Sequence, residues 1–222
     1  MKKWTDIYTS SDLIVHEDSE FLVLNKPAGV GSQDDQTGDA SIFSWAEKYA
    51  NQKLHLVNRI DRPVSGLILC TKTRKAGQLI LDSKSIKKEY VALVPPIDPA
   101  SAILSHFIKK DGKTKKAYIS EVEKGGYKAC TLSYDTRHVL DNYHVINITT
   151  ETGRFHQIRA QLAHVGNAIK GDVKYGARRS NRDRSVDLHA YAMEIVPAQL
   201  KLTAQPLGRE PVWKFLQSEN II

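Results

Sequence analysis

Apolar positions along this chain come mostly in short runs of strand length, with helical spacing in only a few places. Residues 13–16 and 21–25 read as two short strands around a polar turn, ending at Lys26-Pro27-Ala28-Gly29. Residues 41–50 have helical spacing, with Ile42, Trp45, Ala46 and Tyr49 on one face. Residues 67–71 predict a buried strand, and Thr73 is placed to cap a helix over 74–81. Strands then dominate: 89–94, 102–108, 117–122, 127–134 and 143–149 are rich in β-branched and aromatic residues, with turn residues between them. Ile158, Leu162 and Val165 place a helix near 156–164, 188–196 and 200–203 read as late strands, and 211–217 as a short closing helix. Strands with a few interspersed helices predict an α+β fold, a largely antiparallel mixed β-sheet with flanking helices. With no repeat, low-complexity tract or long linker, residues 1–222 read as a single domain.

Composition narrows the class. A chain of 222 residues can bury one good core. No apolar run approaches the roughly 18 residues that a membrane span needs. The start, Met1-Lys2-Lys3-Trp4-Thr5-Asp6, is basic but leads into no apolar core or cleavage site, so no signal peptide is expected. Cys70 and Cys130 each sit in an apolar strand-like run without a CxxC or Cys/His cluster, which predicts two buried thiols in a reducing, cytoplasmic setting. The net charge of +7 and pI of about 9.3 favour a polyanionic partner. Basic residues concentrate at 84–88, 109–116 and 178–184. One such group, Lys109-Lys110-Asp111-Gly112-Lys113, fits a solvated hairpin tip, since Asp-Gly is a strong turn signal. Three of them on a small chain together point to phosphate.

Two segments carry candidate chemistry. In Asn58-Arg59-Ile60-Asp61-Arg62-Pro63-Val64-Ser65-Gly66, Pro63 and Gly66 mark a loop leading into a buried strand. A carboxylate between two arginines there is held in its charged form. By themselves these residues fit a loop-capping ion pair better than a catalytic acid, because ion-pair networks are common. The second segment, Glu151-Thr152-Gly153-Arg154-Phe155-His156-Gln157-Ile158-Arg159, stands at a strand-to-helix junction. The positive end of a helix there suits a phosphate or a carboxylate, and an ordinary cap with solvated arginines fits equally.

Taken in order, the segments resemble the motif set of the RluA branch of pseudouridine synthases. Phe21 to Gly29, ending Asn25-Lys26-Pro27-Ala28-Gly29, resembles its first motif, and Asn58 to Gly66 its catalytic loop, with the aspartate at Asp61 and the preceding arginine at Arg59. Lys88-Glu89-Tyr90 resembles its Lys-Glu-Tyr strand. Residues 152–176 resemble its longest motif, with Gly153-Arg154, His156-Gln157-Ile158-Arg159, Gly171-Asp172 and Tyr175-Gly176. Leu188-His189-Ala190 resembles its final strand motif. The likeness runs from about residue 12 to 197. Family members usually have His and Leu where this chain has Asn58 and Ile60, often Thr at Val64, and a histidine near Gly31-Ser32-Gln33. The small N-terminal RNA-binding domain that many relatives carry is not expected before a catalytic domain of this size.

The resemblance implies a central catalytic cleft and isomerisation of uridine in ribosomal or transfer RNA, through cleavage of the C1′–N1 bond and reattachment at C5. It implies Asp61 as the essential carboxylate, Arg159 paired with it and Tyr90 stacked on the uracil. Arg59, Arg62, Arg154, His156 and Leu162 become candidate substrate contacts, with Arg59 as the wedge that fills the place of a flipped nucleotide. Neither redox change nor hydrolysis occurs, so no cofactor and no metal is expected. The expected partner is structured RNA, bound by a monomer without a membrane. A non-catalytic RNA-binding protein on the same fold would need no carboxylate at 61. A metal-dependent nuclease would need a compact Asp/Glu/His cluster, and no such cluster is visible in the sequence.

Overall fold

The apolar runs at 21–25 and 67–71 become strands buried along their whole length, and one half of the molecule is built on them. A computed structural model describes residues 3–35, 38–83, 85–150, 152–208 and 210–222. Lys84 of the first basic group and Glu151 of the second candidate segment lie outside the described residues. In chain order the elements are α1 (Ser10–Leu13), β1 (Ile14–Glu17), β2 (Phe21–Lys26), α2 (Ile42–Ala50), β3 (His55–Leu56), β4 (Ser65–Thr71), α3 (Arg74–Asp82) and β5 (Ile86–Val94). There follow β6 (Ser101–Asp111), β7 (Lys116–Ser120), β8 (Lys128–Val139), β9 (His144–Thr150), α4 (Gln157–His164), β10 (Leu188–Ile195), β11 (Leu200–Thr203) and α5 (Pro211–Ser218). The class is α+β. Among the described residues no helix is long and apolar enough to cross a membrane.

The chain forms two compact units, one from Met1–Lys88 and His189–Asn220 with Ile222, the other from Glu89–Leu188 with Ile221. No linker marks the division in the sequence because the chain passes from one unit to the other within β5 and at the start of β10.

In the first unit β4 is the spine. It pairs antiparallel with β2, from Phe21↔Thr71 to Lys26↔Gly66, and parallel with β10 at His189↔Ser65 and Ala190↔Gly66. Phe21, Val23, Leu67, Leu69, Ile80, Met193 and Ile195 close one core, with Ile80 supplied by α3. Thr73 caps α3 as expected, its hydroxyl accepting from Ala76 N at 3.2 Å. Gly66 marks the tightest approach: its φ is +120°, and a Cβ there would stand 2.4 Å from Ala190 O.

The second unit is an antiparallel sheet in the order β5-β9-β8-β6-β7. Ile108, Ala117, Cys130, Ala160 and Tyr175 form a core under α4. Asp111-Gly112 makes the expected turn between β6 and β7, with the Asp111 carboxylate accepting from Lys113 N at 2.8 Å and Thr114 Oγ1 at 2.9 Å. Both thiols are buried, and burial pushes Cys70 up to about 12 and Cys130 up to about 11.

Candidate active site

Asp61 lies in the irregular stretch between β3 and β4, and the chain around it is clamped from residues 26–32. Val64 N donates to Asp61 O at 3.0 Å, closing a turn over Arg62 and Pro63. Ser32 Oγ donates to Ile60 O at 2.6 Å and accepts from Ile60 N at 3.2 Å. Gly29 N donates to Arg62 O at 2.7 Å. On the strand side, the Asn58 amide donates to Leu67 O and accepts from Leu69 N, so the residue that departs from the family pattern ties the loop to β4.

Lys26 is the unexpected member of this clamp. Its side chain is fully buried at the end of β2, and its ammonium donates to Pro27 O at 2.9 Å, Val30 O at 2.8 Å and Arg62 O at 3.3 Å. Burial pulls its pKa down to about 7, against the charge of Asp61, which raises it, while Arg62 adds to the fall. The same unit contains a buried neutral histidine. His189 is pulled down to about 4 by burial, against the bond to Ala204 O, and Lys26 adds to the fall. Its Nε2–H donates to Ala204 O at 2.8 Å, which leaves Nδ1 to accept from Ser65 Oγ at 2.8 Å.

The two flanking arginines differ. Arg59 is exposed, and its Nη1 donates to Gln33 Oε1 at 3.0 Å. Arg62 reaches Asp35 at 2.9 Å and Asp39 at 3.2 Å, pairs that raise its pKa.

In the second unit, α4 begins at Gln157, and His156 caps it in the left-handed region at φ 54°. Gln157 binds two segments at once, residues 152–154 and β8. Its Oε1 accepts from Thr152 Oγ1 at 2.7 Å and Arg154 N at 3.0 Å, and its amide donates to Thr131 O at 3.1 Å. Arg159, two residues on, is buried and forks onto the buried Asp172 through Nε at 2.6 Å and Nη2 at 2.9 Å. Its guanidinium lies 5.1 Å from the Tyr175 ring. Tyr175 OH accepts from Ala117 N at 2.7 Å and lies 2.9 Å from His156 Nδ1, while the His156 ring stacks on Phe155. Arg154 is exposed, with Nε donating to Ala129 O at 3.4 Å. Tyr90 lies on β5, paired in register with Ile148 of β9, and is 9% exposed.

The structure therefore brings Arg59, Asp61 and Arg62 together on one clamped loop, and Arg154, His156 and Arg159 around the start of α4. Leu162, on α4, is fully buried. Sequence reasoning missed Lys26, Asp172, Tyr175 and Gln157 as partners. A lysine closing a strand that opens with four apolar residues is the available signal for the first. Asp172 and Tyr175 belong to the motif over residues 152–176, which names no contact for either.

A family model described as RNA pseudouridylate synthase matches residues 20–164. The chain is 34% identical over 176 residues to ribosomal large subunit pseudouridine synthase C of Rickettsia felis, covering 75% of this chain and 57% of that one. It is 32% identical over 178 residues to the protein of the same name from Buchnera aphidicola, covering 76% and 55%. tRNA pseudouridine synthase C of Salmonella typhi is 26% identical over 230 residues, covering 90% and 86%. Among solved structures, human RNA pseudouridylate synthase domain containing 4 shares the fold, with a TM-score of 0.74 at 20% identity over 93% of this chain and 92% of that one. The chain thus spans little more than half the length of the two ribosomal relatives.

Proposed function

Because the chain belongs to the RNA pseudouridylate synthase family, we propose that it isomerises specific uridines of ribosomal or transfer RNA, with Asp61 as the essential carboxylate and the two units working as one catalytic domain. The observation that carries this reading is the family match, which takes in the loop of Asp61, Tyr90 on β5 and Arg159 on α4. The setting is the cytoplasm, and the protein acts as a monomer on structured RNA.

The reaction breaks C1′–N1, turns the uracil over and joins C1′ to C5. C5 gives up its proton and N1 ends with one, so atoms and electrons balance without a co-reactant. Cleavage leaves the sugar electron-poor, and a carboxylate serves there in one of three ways: attacking C1′, stabilising its positive charge, or taking the C2′ proton. Arg159 is assigned as a cation of the catalytic set, the role that the family resemblance gives it. The fork with Asp172 uses two of the five guanidinium donors and fixes the plane of the group, which favours a rigid counter-charge. Tyr90 stacks on the uracil and handles the C5 proton.

A stacked uridine must be flipped before its sugar and base are both reachable. Arg59, exposed on the loop of Asp61, is suited to fill the gap. Arg62, Arg154 and His156 are assigned to the RNA backbone. For Arg62 this means exchanging the carboxylates of Asp35 and Asp39 for phosphate oxygens. Leu162 supports the site by packing under α4.

Asp61→Asn tests the assignment, since it keeps shape and removes charge. Expected is loss of single-turnover isomerisation with RNA affinity and the unfolding midpoint largely unchanged. Near-wild-type turnover by the folded variant would sink the mechanism.

A further inference from the structure

Away from these residues, the second unit brings two imidazoles and a carboxylate together from three separate elements. His106 lies on β6, Glu121 directly follows β7, and His164 ends α4. Their ligand atoms all fall within 4.8 Å of one another. Glu121 Oε1 lies 2.5 Å from His164 Nε2 and 3.5 Å from His106 Nε2, and the two rings meet edge-on with centroids 5.1 Å apart. We propose that His106, Glu121 and His164 form a binding site for a divalent transition metal of the zinc class, with a fourth position open to solvent. The inference is independent of the uridine reading.

The donor set is one that zinc takes, two neutral imidazoles and one carboxylate. Bonds of about 2.0–2.2 Å in a tetrahedral site keep ligand atoms roughly 3.3–3.5 Å apart. The present spacing, from 2.5 Å to no more than 4.8 Å, brackets that range, so closure needs only small movements. The side chains free to move are the outer ones: Glu121 is 66% exposed and His164 34%, while His106 is nearly enclosed at 6%. The site therefore has one rigid ligand, two adjustable ones and a path from solvent. A metal would take the place of the direct contact between His164 and Glu121.

A buried amide supplies a second, separate observation. Gln161 is fully buried and its Oε1 has no hydrogen-bond partner, while its Nε2 faces three acceptors with two hydrogens: Leu104 O at 3.0 Å, His106 Nδ1 at 3.0 Å and Cys130 O at 3.5 Å. In that orientation His106 carries its proton on Nε2. With a metal on Nε2 the proton must sit on Nδ1, and the amide turned over would present Oε1 to it. The orphaned oxygen then gains a partner, and the imidazole is held by the kind of outer bond that fixes metal-ligating histidines. The turned amide withdraws its donor from Leu104 O and Cys130 O and carries its NH2 to the place the oxygen held, a cost that lowers affinity without closing the site. Bound metal would tie the end of α4 to β6 and to the chain beyond β7, bracing the helix that carries Arg159 at its other end.

The sequence could not reveal this cluster, because positions 106, 121 and 164 share no short ligand motif and meet only through the sheet and α4. The test uses the full chain, stripped with chelator and then titrated with Zn²⁺ by calorimetry and with Co²⁺ by visible spectroscopy. Expected are one bound equivalent and the intense visible bands of four-coordinate Co²⁺. Glu121→Gln and His164→Ala, both at exposed positions, should each weaken binding at least about tenfold while leaving the metal-free unfolding temperature unchanged. No binding by the wild type, equal binding in all three proteins, or loss in only one of the two variants would overturn the site. Uridine turnover is expected to survive chelation, so failure of the metal site and failure of the isomerase reading give different results.

Discussion

Replacing Lys26 by methionine measures what holds the loop of Asp61. Methionine keeps the apolar stem and most of the volume while deleting an ammonium that solvent does not reach. Arg62 O keeps Gly29 N as a donor, but Pro27 O and Val30 O each lose a bond. At about 1–3 kcal/mol for each orphaned buried group, the deletion costs about 2–6 kcal/mol. Burial opposes this by lowering the lysine from 10.5 to about 7. Holding it charged at pH 6 therefore costs the folded state about 5 kcal/mol relative to the unfolded chain. At pH 6 the two effects nearly offset, and wild type and variant should unfold at similar urea concentrations. Between about pH 7 and 10.5 the unfolded chain keeps a proton that the folded protein has released, so the wild type gains stability with rising pH. The gap between the proteins should widen by about 3 kcal/mol from pH 6 to pH 9. The assay is urea unfolding of both proteins at both pH values, where subtraction removes groups common to the two. A gap constant to within about 0.5 kcal/mol would refute the reasoning. It would show that three carbonyls and Asp61 keep the ammonium near its ordinary pKa despite burial.

Arg59→Ala should lose single-turnover rate on a stacked uridine and recover part of it when the target lies beside an abasic site, because the wedge offsets unstacking. Equal losses on the two RNAs would make Arg59 a structural partner of its loop. RNA affinity should fall steeply between low and physiological salt, as counterion release demands of a chain with net charge +7, and a flat response would leave the basic groups as solvated surface. Gly66→Ala should cost at least about 3 kcal/mol in urea unfolding, since the new methyl meets Ala190 backbone at a positive φ; a loss under about 1 kcal/mol would mean that β4 and β10 part easily.

What the sequence made legible was local. Thr73 as a cap, the Asp111-Gly112 turn and the burial of β4 all follow from neighbouring residues. α1 and β3, at four and two residues, are too short to display a period. β6 and β8 run past their expected ends because those residues are mostly polar and exposed, and pairing rather than burial keeps them in the sheet. The site was legible as motifs and opaque as contacts. Arg59, Asp61 and Arg62 could be named from their loop. That Ser32 and Lys26 clamp this loop, and that Asp172 grips Arg159, depends on pairings across distant stretches of chain.

On the proposed function, the lysines along the β6–β7 hairpin bear on the entropy of RNA capture. Lys110 lies 4.4 Å above the Phe155 ring, Lys116 5.1 Å above Tyr175 and Lys109 5.7 Å above Tyr127. A lysine that is fully immobilised loses roughly 1.5–2 kcal/mol of rotamer freedom, which a mobile side chain must give up on meeting phosphate. A stem already resting on a ring has surrendered part of that freedom during folding. If this hairpin meets RNA, as the proposed function implies, three aromatic residues that need never touch the nucleic acid would strengthen its binding by keeping the cations from wandering.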